Sequence, residues 1–116
     1  MIRRFSEQPS REQEAVRGGN GKVLFQDLFP AGEMSGLLSM ASVVTLLPGC
    51  SIGVHDHTEN GELYYILQGK AVVTQDGEDH VLTAGDAQFC AEGHTHGIRN
   101  EDFGPMLFLA VIVPKK

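Results

Sequence analysis

His55 and His57 are separated by a single residue, and Glu62 follows a short polar stretch. On a β-strand that spacing puts both imidazoles on one face. Asn60-Gly61 reads as a tight turn, and Glu62 then opens an apolar strand. Two imidazoles and a carboxylate therefore converge from adjacent strands. Further along, His94 and His96 repeat the same spacing. His96 is the preferred third imidazole and His94 the reserve, since strand parity lets both face inward. Three neutral imidazoles and one carboxylate suit a single divalent transition metal (Mn, Fe, Ni, Zn, Co or Cu). By formal counting such an ion keeps about one positive charge, which draws in an anionic oxygen ligand. Four protein ligands of an octahedral ion leave two positions, which a bidentate carboxylate or an enediol fits.

The elements that must position these residues are short strands. The apolar pattern predicts strands over 22–29, 37–47, 51–57, 62–68, 70–75, 79–83, 86–90, 95–100 and 106–113, with Gly, Pro and Asn between them. Asp76-Gly77 is a tight-hairpin signal. Glu62, Tyr64, Ile66 and Gln68 share one side of their strand. If Glu62 faces inward, Tyr64 and Ile66 line the same cavity, and Tyr64 is a candidate substrate contact. Leu63, Tyr65 and Leu67 then face outward although they are also apolar, so the outer face needs cover from the N-terminal segment or a second subunit. Arg99 and His80 read as surface charges. Residues 1–21 form an expected N-terminal arm, with Ser10 capping a short helix over Arg11–Arg17, and residues 22–116 form the barrel domain. Gly18-Gly19-Asn20-Gly21 lacks the Lys-Ser/Thr pair and the following helix of a phosphate loop, so it reads as a turn.

A chain of 116 residues is long enough for one domain with its own core. A net charge of -6 argues against nucleic acid or an anionic membrane surface as a partner. Cys50 and Cys90 have no CxxC neighbours and read as reduced, buried thiols. Arg3 and Arg4 are followed by no apolar segment, and the run Met106 to Val113 is too short to span a bilayer. The expected compartment is the cytoplasm.

The motifs around these ligands resemble those of the small single-domain cupins. Their first motif is matched by Gly49, His55, His57, Glu62 and Gly69, and their second by Gly85, Gly93, His96 and Asn100. Ala91 stands where the family has proline, a departure that touches no ligand. The resemblance implies an all-β, double-stranded β-helix (jelly-roll) barrel, usually a homodimer, with His55, His57, Glu62 and His96 as metal ligands. His96 is thereby preferred over His94, which becomes a candidate substrate-contacting or acid/base group at the cavity mouth.

The resemblance is weak on reaction. It implies a metal-dependent enzyme acting on a small anionic or oxygen-rich metabolite, of dioxygenase, decarboxylase or isomerase type. The alternative is a non-catalytic module that binds a sugar or carboxylate in the barrel. A closed structural zinc site is the third reading.

Overall fold

The computed structural model describes residues 1–115. Its strands are β1 (Ser10–Glu14), β2 (Lys22–Asp27), β3 (Met40–Leu46), β4 (Ser51–Asp56), β5 (Asn60–Gln68), β6 (Lys70–Gln75), β7 (Glu78–Thr83), β8 (Ala87–Cys90), β9 (Thr95–Arg99) and β10 (Met106–Pro114). They form two antiparallel sheets, in the orders β1-β2-β3-β10-β5-β8 and β4-β9-β6-β7. The expected all-β jelly-roll barrel is what forms. No helix among the described residues is long and apolar enough to cross a membrane.

Strand alternation builds the interior. Along β5, Glu62, Tyr64 and Ile66 are buried while Tyr65 and Leu67 stay half-exposed. Opposite Tyr64 and Ile66, strand β10 sends in Ala110 and Phe108. The second sheet contributes Ile52, Ala71, Val73 and Ile98 to the same core. Each large apolar side chain so buried contributes about 1.5–3 kcal/mol, so β5 and β10 anchor the barrel. Strand β1 is different: its residues are almost all exposed, β2 is its one strand neighbour, and Arg11 alone reaches inward, to Asp27 and the Phe25 ring.

Several local expectations are corrected. The helix over Arg11–Arg17 does not form, because Ser10–Glu14 extends the six-stranded sheet instead. An isolated stretch that short gains too little from helical hydrogen bonds to resist pairing with an open sheet edge. The turn expected at Asn60-Gly61 lies just before it: Glu59 takes the positive φ of 65°, and Asn60 and Gly61 already belong to β5. A Cβ at Gly61 would press on the Phe89 ring and crowd the Cys90 carbonyl. Gln68 is exposed rather than inward, and residues 37–39 precede the third strand rather than open it. The Asp76-Gly77 hairpin does form, with φ of 47° and 85° at the two turn residues.

Strand β4 holds one irregularity that matters for the site. Ile52 pairs with Ile98 and His55 with His96, so β4 carries one residue more than β9 between the two pairs. This bulge at Gly53-Val54 lets Ile52 and His55 both face inward, although they are three residues apart.

Candidate metal centre

His55 sits on β4 directly opposite His96 on β9. His57 follows the end of β4, and Glu62 enters from β5 in the other sheet. Each of the four offers a ligand atom, and these atoms all lie within 4.8 Å of one another. Glu62 Oε1 is 3.1 Å from His57 Nε2, 3.0 Å from His96 Nε2 and 3.7 Å from His55 Nε2. The Nε2 atoms of His57 and His96 are 3.1 Å apart.

The outward nitrogens decide what the inward ones can do. His55 Nδ1 lies 2.7 Å from the Gly53 carbonyl, which can only accept, so Nδ1 carries the proton. His57 Nδ1 donates in the same way to Asn60 Oδ1 at 2.7 Å, and His96 Nδ1 to Gln88 Oε1 at 2.9 Å. Gln88 is oriented in turn, because its amide nitrogen donates to Gln75 Oε1 at 3.2 Å. With Nδ1 protonated, each neutral imidazole presents a lone pair at Nε2. Three lone pairs and a carboxylate oxygen then face one another with no hydrogen between them. Such a cluster is repulsive by itself and is reconciled by a cation at its centre. The donor set therefore fits a divalent metal ion, with oriented imidazoles backed by hydrogen-bond acceptors.

Electrostatics agree. Burial pushes the Glu62 carboxyl up, but when the facing imidazoles carry protons of their own they outweigh it and hold the group at about 2, so that positive charge on those rings plays the part a metal ion would take. Burial pushes His96 below its usual value, against the pull of Glu62, and so favours the neutral ligand form. Tyr64 stacks on His96, with ring centroids 4.4 Å apart and an interplanar angle of 12°. Burial, reinforced by the Glu62 carboxylate, raises the Tyr64 hydroxyl well above its usual value, so it stays a neutral donor.

A cavity of about 150 Å³ opens beside this cluster. His55, His57, Glu62 and Tyr64 line it, together with Phe25, Met40, Val44, Ala110 and Ile112. At roughly 30 Å³ per water it holds about five, which sets the scale of a small metabolite. Its remaining wall comes from the N-terminal segment: Arg11 and Gln13 on β1, and Val16 and Arg17 just after it. The sequence pointed to none of these, because the expected helix placed them outside the barrel. Gln88 was legible in principle, as an inward polar residue two positions before the inward Cys90.

His94 lies elsewhere. It is exposed, donates from Nδ1 to Asp76 Oδ2 at 2.8 Å, and does not line the cavity. Arg99 pairs with Asp79 and Glu101, and His80 is half-exposed beside Glu78, both at the surface as expected. Asn100 is structural: its buried amide donates to the carbonyls of Leu46 and Gly104, each at 2.8 Å. Cys50 and Cys90 are unpaired, and burial pushes the Cys90 thiol up to about 11, which makes it unreactive.

The chain is similar to known proteins over nearly its whole length. A family model described as Cupin domain matches residues 42–112. An oxalate-binding protein of Thermotoga maritima is 35% identical over 113 residues, which is 97% of this chain and 93% of that protein. The tetracenomycin polyketide synthase protein TcmJ of Streptomyces glaucescens is 32% identical over 91% of this chain and 66% of its own length. A Thermotoga maritima crystal structure, described as a predicted oxalate decarboxylase, superposes with a TM-score of 0.93 at 35% identity, covering 98% of this chain and 99% of that one.

Proposed function

The chain belongs to the cupin family, and from that premise we propose that it binds a small anionic, oxygen-rich ligand, a short carboxylate such as oxalate, at a divalent transition metal held by His55, His57, Glu62 and His96. One observation carries the reading. Three imidazoles are locked by Gly53, Asn60 and Gln88 with their lone pairs aimed at one point beside Glu62 Oε1. The similarity to an oxalate-binding protein supports the choice of ligand. The ion would supply Lewis-acid attraction for a carboxylate oxygen. Around it, this chain's own residues do the selecting. Phe25, Val44 and Ala110 close the cavity with apolar surface, Arg17 brings positive charge to it while that of Arg11 is paired with Asp27, and Tyr64 offers a neutral hydroxyl.

The enzymatic reading, a decarboxylase, dioxygenase or isomerase, would need the ion held by His55, His57, Glu62 and His96 to accept further ligands from the cavity side. Binding is favoured over it by the cavity wall. Beyond the four ligands and Tyr64, the charged side chains that line it are two arginines, and no carboxylate or histidine outside the ligand set stands there as an acid or base. We further propose that the protein is a cytoplasmic homodimer.

Elemental analysis of protein purified without added metal tests the centre. His96→Ala is expected to lose most of the bound metal and His94→Ala to keep it. Equal metal content in the two variants would sink the assignment. Oxalate should bind the metal-loaded protein and not the chelator-treated one. Release of carbon dioxide or uptake of oxygen on adding oxalate would move the conclusion from binding to catalysis.

A further inference from the structure

We propose that Arg17 is the anion anchor of the cavity, holding the far carboxylate of a short dicarboxylate whose near end lies at the metal centre. The proposal rests on the carboxylate reading above and adds to it the residue that makes the ligand a diacid.

Arg17 and Arg11 both line the cavity, but only Arg17 is uncommitted. The Arg11 guanidinium reaches Asp27 through Nε at 3.2 Å and Nη2 at 3.5 Å, and lies 4.2 Å over the Phe25 ring. Its charge is balanced within the protein. Among the described residues, Arg17 has no ion pair and no side-chain hydrogen bond, and it is exposed at the mouth.

The backbone that carries Arg17 is held in an unfavourable shape. Arg17 has φ 54° and ψ 32°, and Ala15 has φ 53° and ψ 42°, both in the left-handed region that side chains other than glycine avoid. The segment keeps this shape because it is clamped to β4. Val16 packs against the core. A Cβ on Gly53 would collide with the Arg17 carbonyl oxygen, and a Cβ on Gly19 would collide with that of Ser51. Asn20 and Ser51 exchange two hydrogen bonds, of 2.8 and 2.9 Å. Gly53 is also the bulge residue whose carbonyl orients His55. One point on β4 therefore fixes a metal-ligand imidazole and the backbone of Arg17 together. Strain at a residue whose side chain bonds to nothing in the protein is a mark of positioning for a ligand.

Charge supplies the ligand class. A divalent ion beside the Glu62 carboxylate keeps one positive charge by formal counting, and Arg17 brings a second. A doubly charged diacid neutralises both, whereas a monoacid leaves Arg17 unanswered. The planar guanidinium pairs bidentately with a carboxylate.

The test is titration calorimetry of the full chain loaded with Mn²⁺, using oxalate and acetate as probes. Arg17→Gln and Arg17→Gly are expected to weaken oxalate by about tenfold or more and acetate by less than about threefold. Manganese content should be unchanged. Arg17→Gly suits the left-handed backbone, so its Tm should equal or exceed that of the unsubstituted chain, which separates lost recognition from misfolding. Arg17→Lys should recover part of the oxalate affinity. Oxalate affinity within about twofold in both variants would overturn the assignment of Arg17 alone. So would equal weakening of oxalate and acetate, since Arg17 would then act on the whole site rather than on a second carboxylate. If the unsubstituted, metal-loaded chain binds neither probe, the carboxylate reading itself falls, and this inference with it.

Discussion

At the residue scale, the hydrogen bonds behind the imidazoles matter as much as the imidazoles. Gln88 is bound on both sides, accepting from His96 and donating to Gln75. Gln88→Ala frees the buried His96 ring to turn, and we expect metal affinity to fall by about 10–100-fold. Competition against a chelating dye checks this, and an unchanged dissociation constant would show that the bond does not position the ligand. The buried carboxylate predicts a pH response in the metal-free protein. Glu62 falls from 4.5 unfolded to about 2 folded, so its contribution is complete above about pH 4.5 and is lost as pH drops toward 2. His96 is also lowered on folding, so it acts with the same sign and costs stability as pH falls below its unfolded value. Urea midpoints should therefore fall steadily from pH 7 to pH 3, and less steeply in Glu62→Gln. His55, His57 and Glu62 were legible in the sequence from their spacing around a turn, whereas spacing left His96 and His94 equivalent and only the resemblance to the cupins separated them. Arg17 was not legible, because nothing local marks a residue that reaches the cavity through a strained turn.

At the element scale, the bulge in β4 is what the alternation rule cannot supply. Strict alternation would send Ile52 and His55 to opposite faces, yet both point inward because Gly53-Val54 adds a residue. A glycine inside an otherwise regular strand hints at such a break, but pairing partners are needed to place it. Strand β1 was missed for a related reason: its polar sequence has no buried face, and only the open edge of β2 makes it extended. Gly53→Ala forces a methyl against the Arg17 carbonyl and should cost about 1–3 kcal/mol, measured by urea unfolding. It should also loosen the 15–19 turn, so limited proteolysis there should quicken. An unchanged midpoint with unchanged cleavage would show that the turn is not clamped at this glycine.

At the scale of the whole molecule, the barrel was readable from two spaced motifs, while the flanking strands needed the structure to find their order. The outer face of the six-stranded sheet carries a half-exposed apolar stripe, with Leu24, Tyr65, Leu67 and Phe89 between 39% and 54% exposed. Strand β1 lies at the far edge of that sheet and does not cover β5. A second copy of the chain would cover the stripe, so light scattering at micromolar concentration should give twice the chain mass, and Tyr65→Glu with Leu67→Glu should give the single mass. A monomeric unsubstituted chain would refute the homodimer. The edge position of β1 also has a kinetic meaning. A strand with one neighbour and no buried face opens more readily than the sheet it leans on. Because β1 and the turn after it form one wall of the cavity, each opening is also a moment when a ligand can enter or leave. Amide hydrogens of residues 10–14 should exchange faster than those of β2 and β3, and ligand that bridges the metal centre and Arg17 should slow them. Fraying of five polar residues at the margin of the sheet would then add a second route of escape beside the mouth at Arg17.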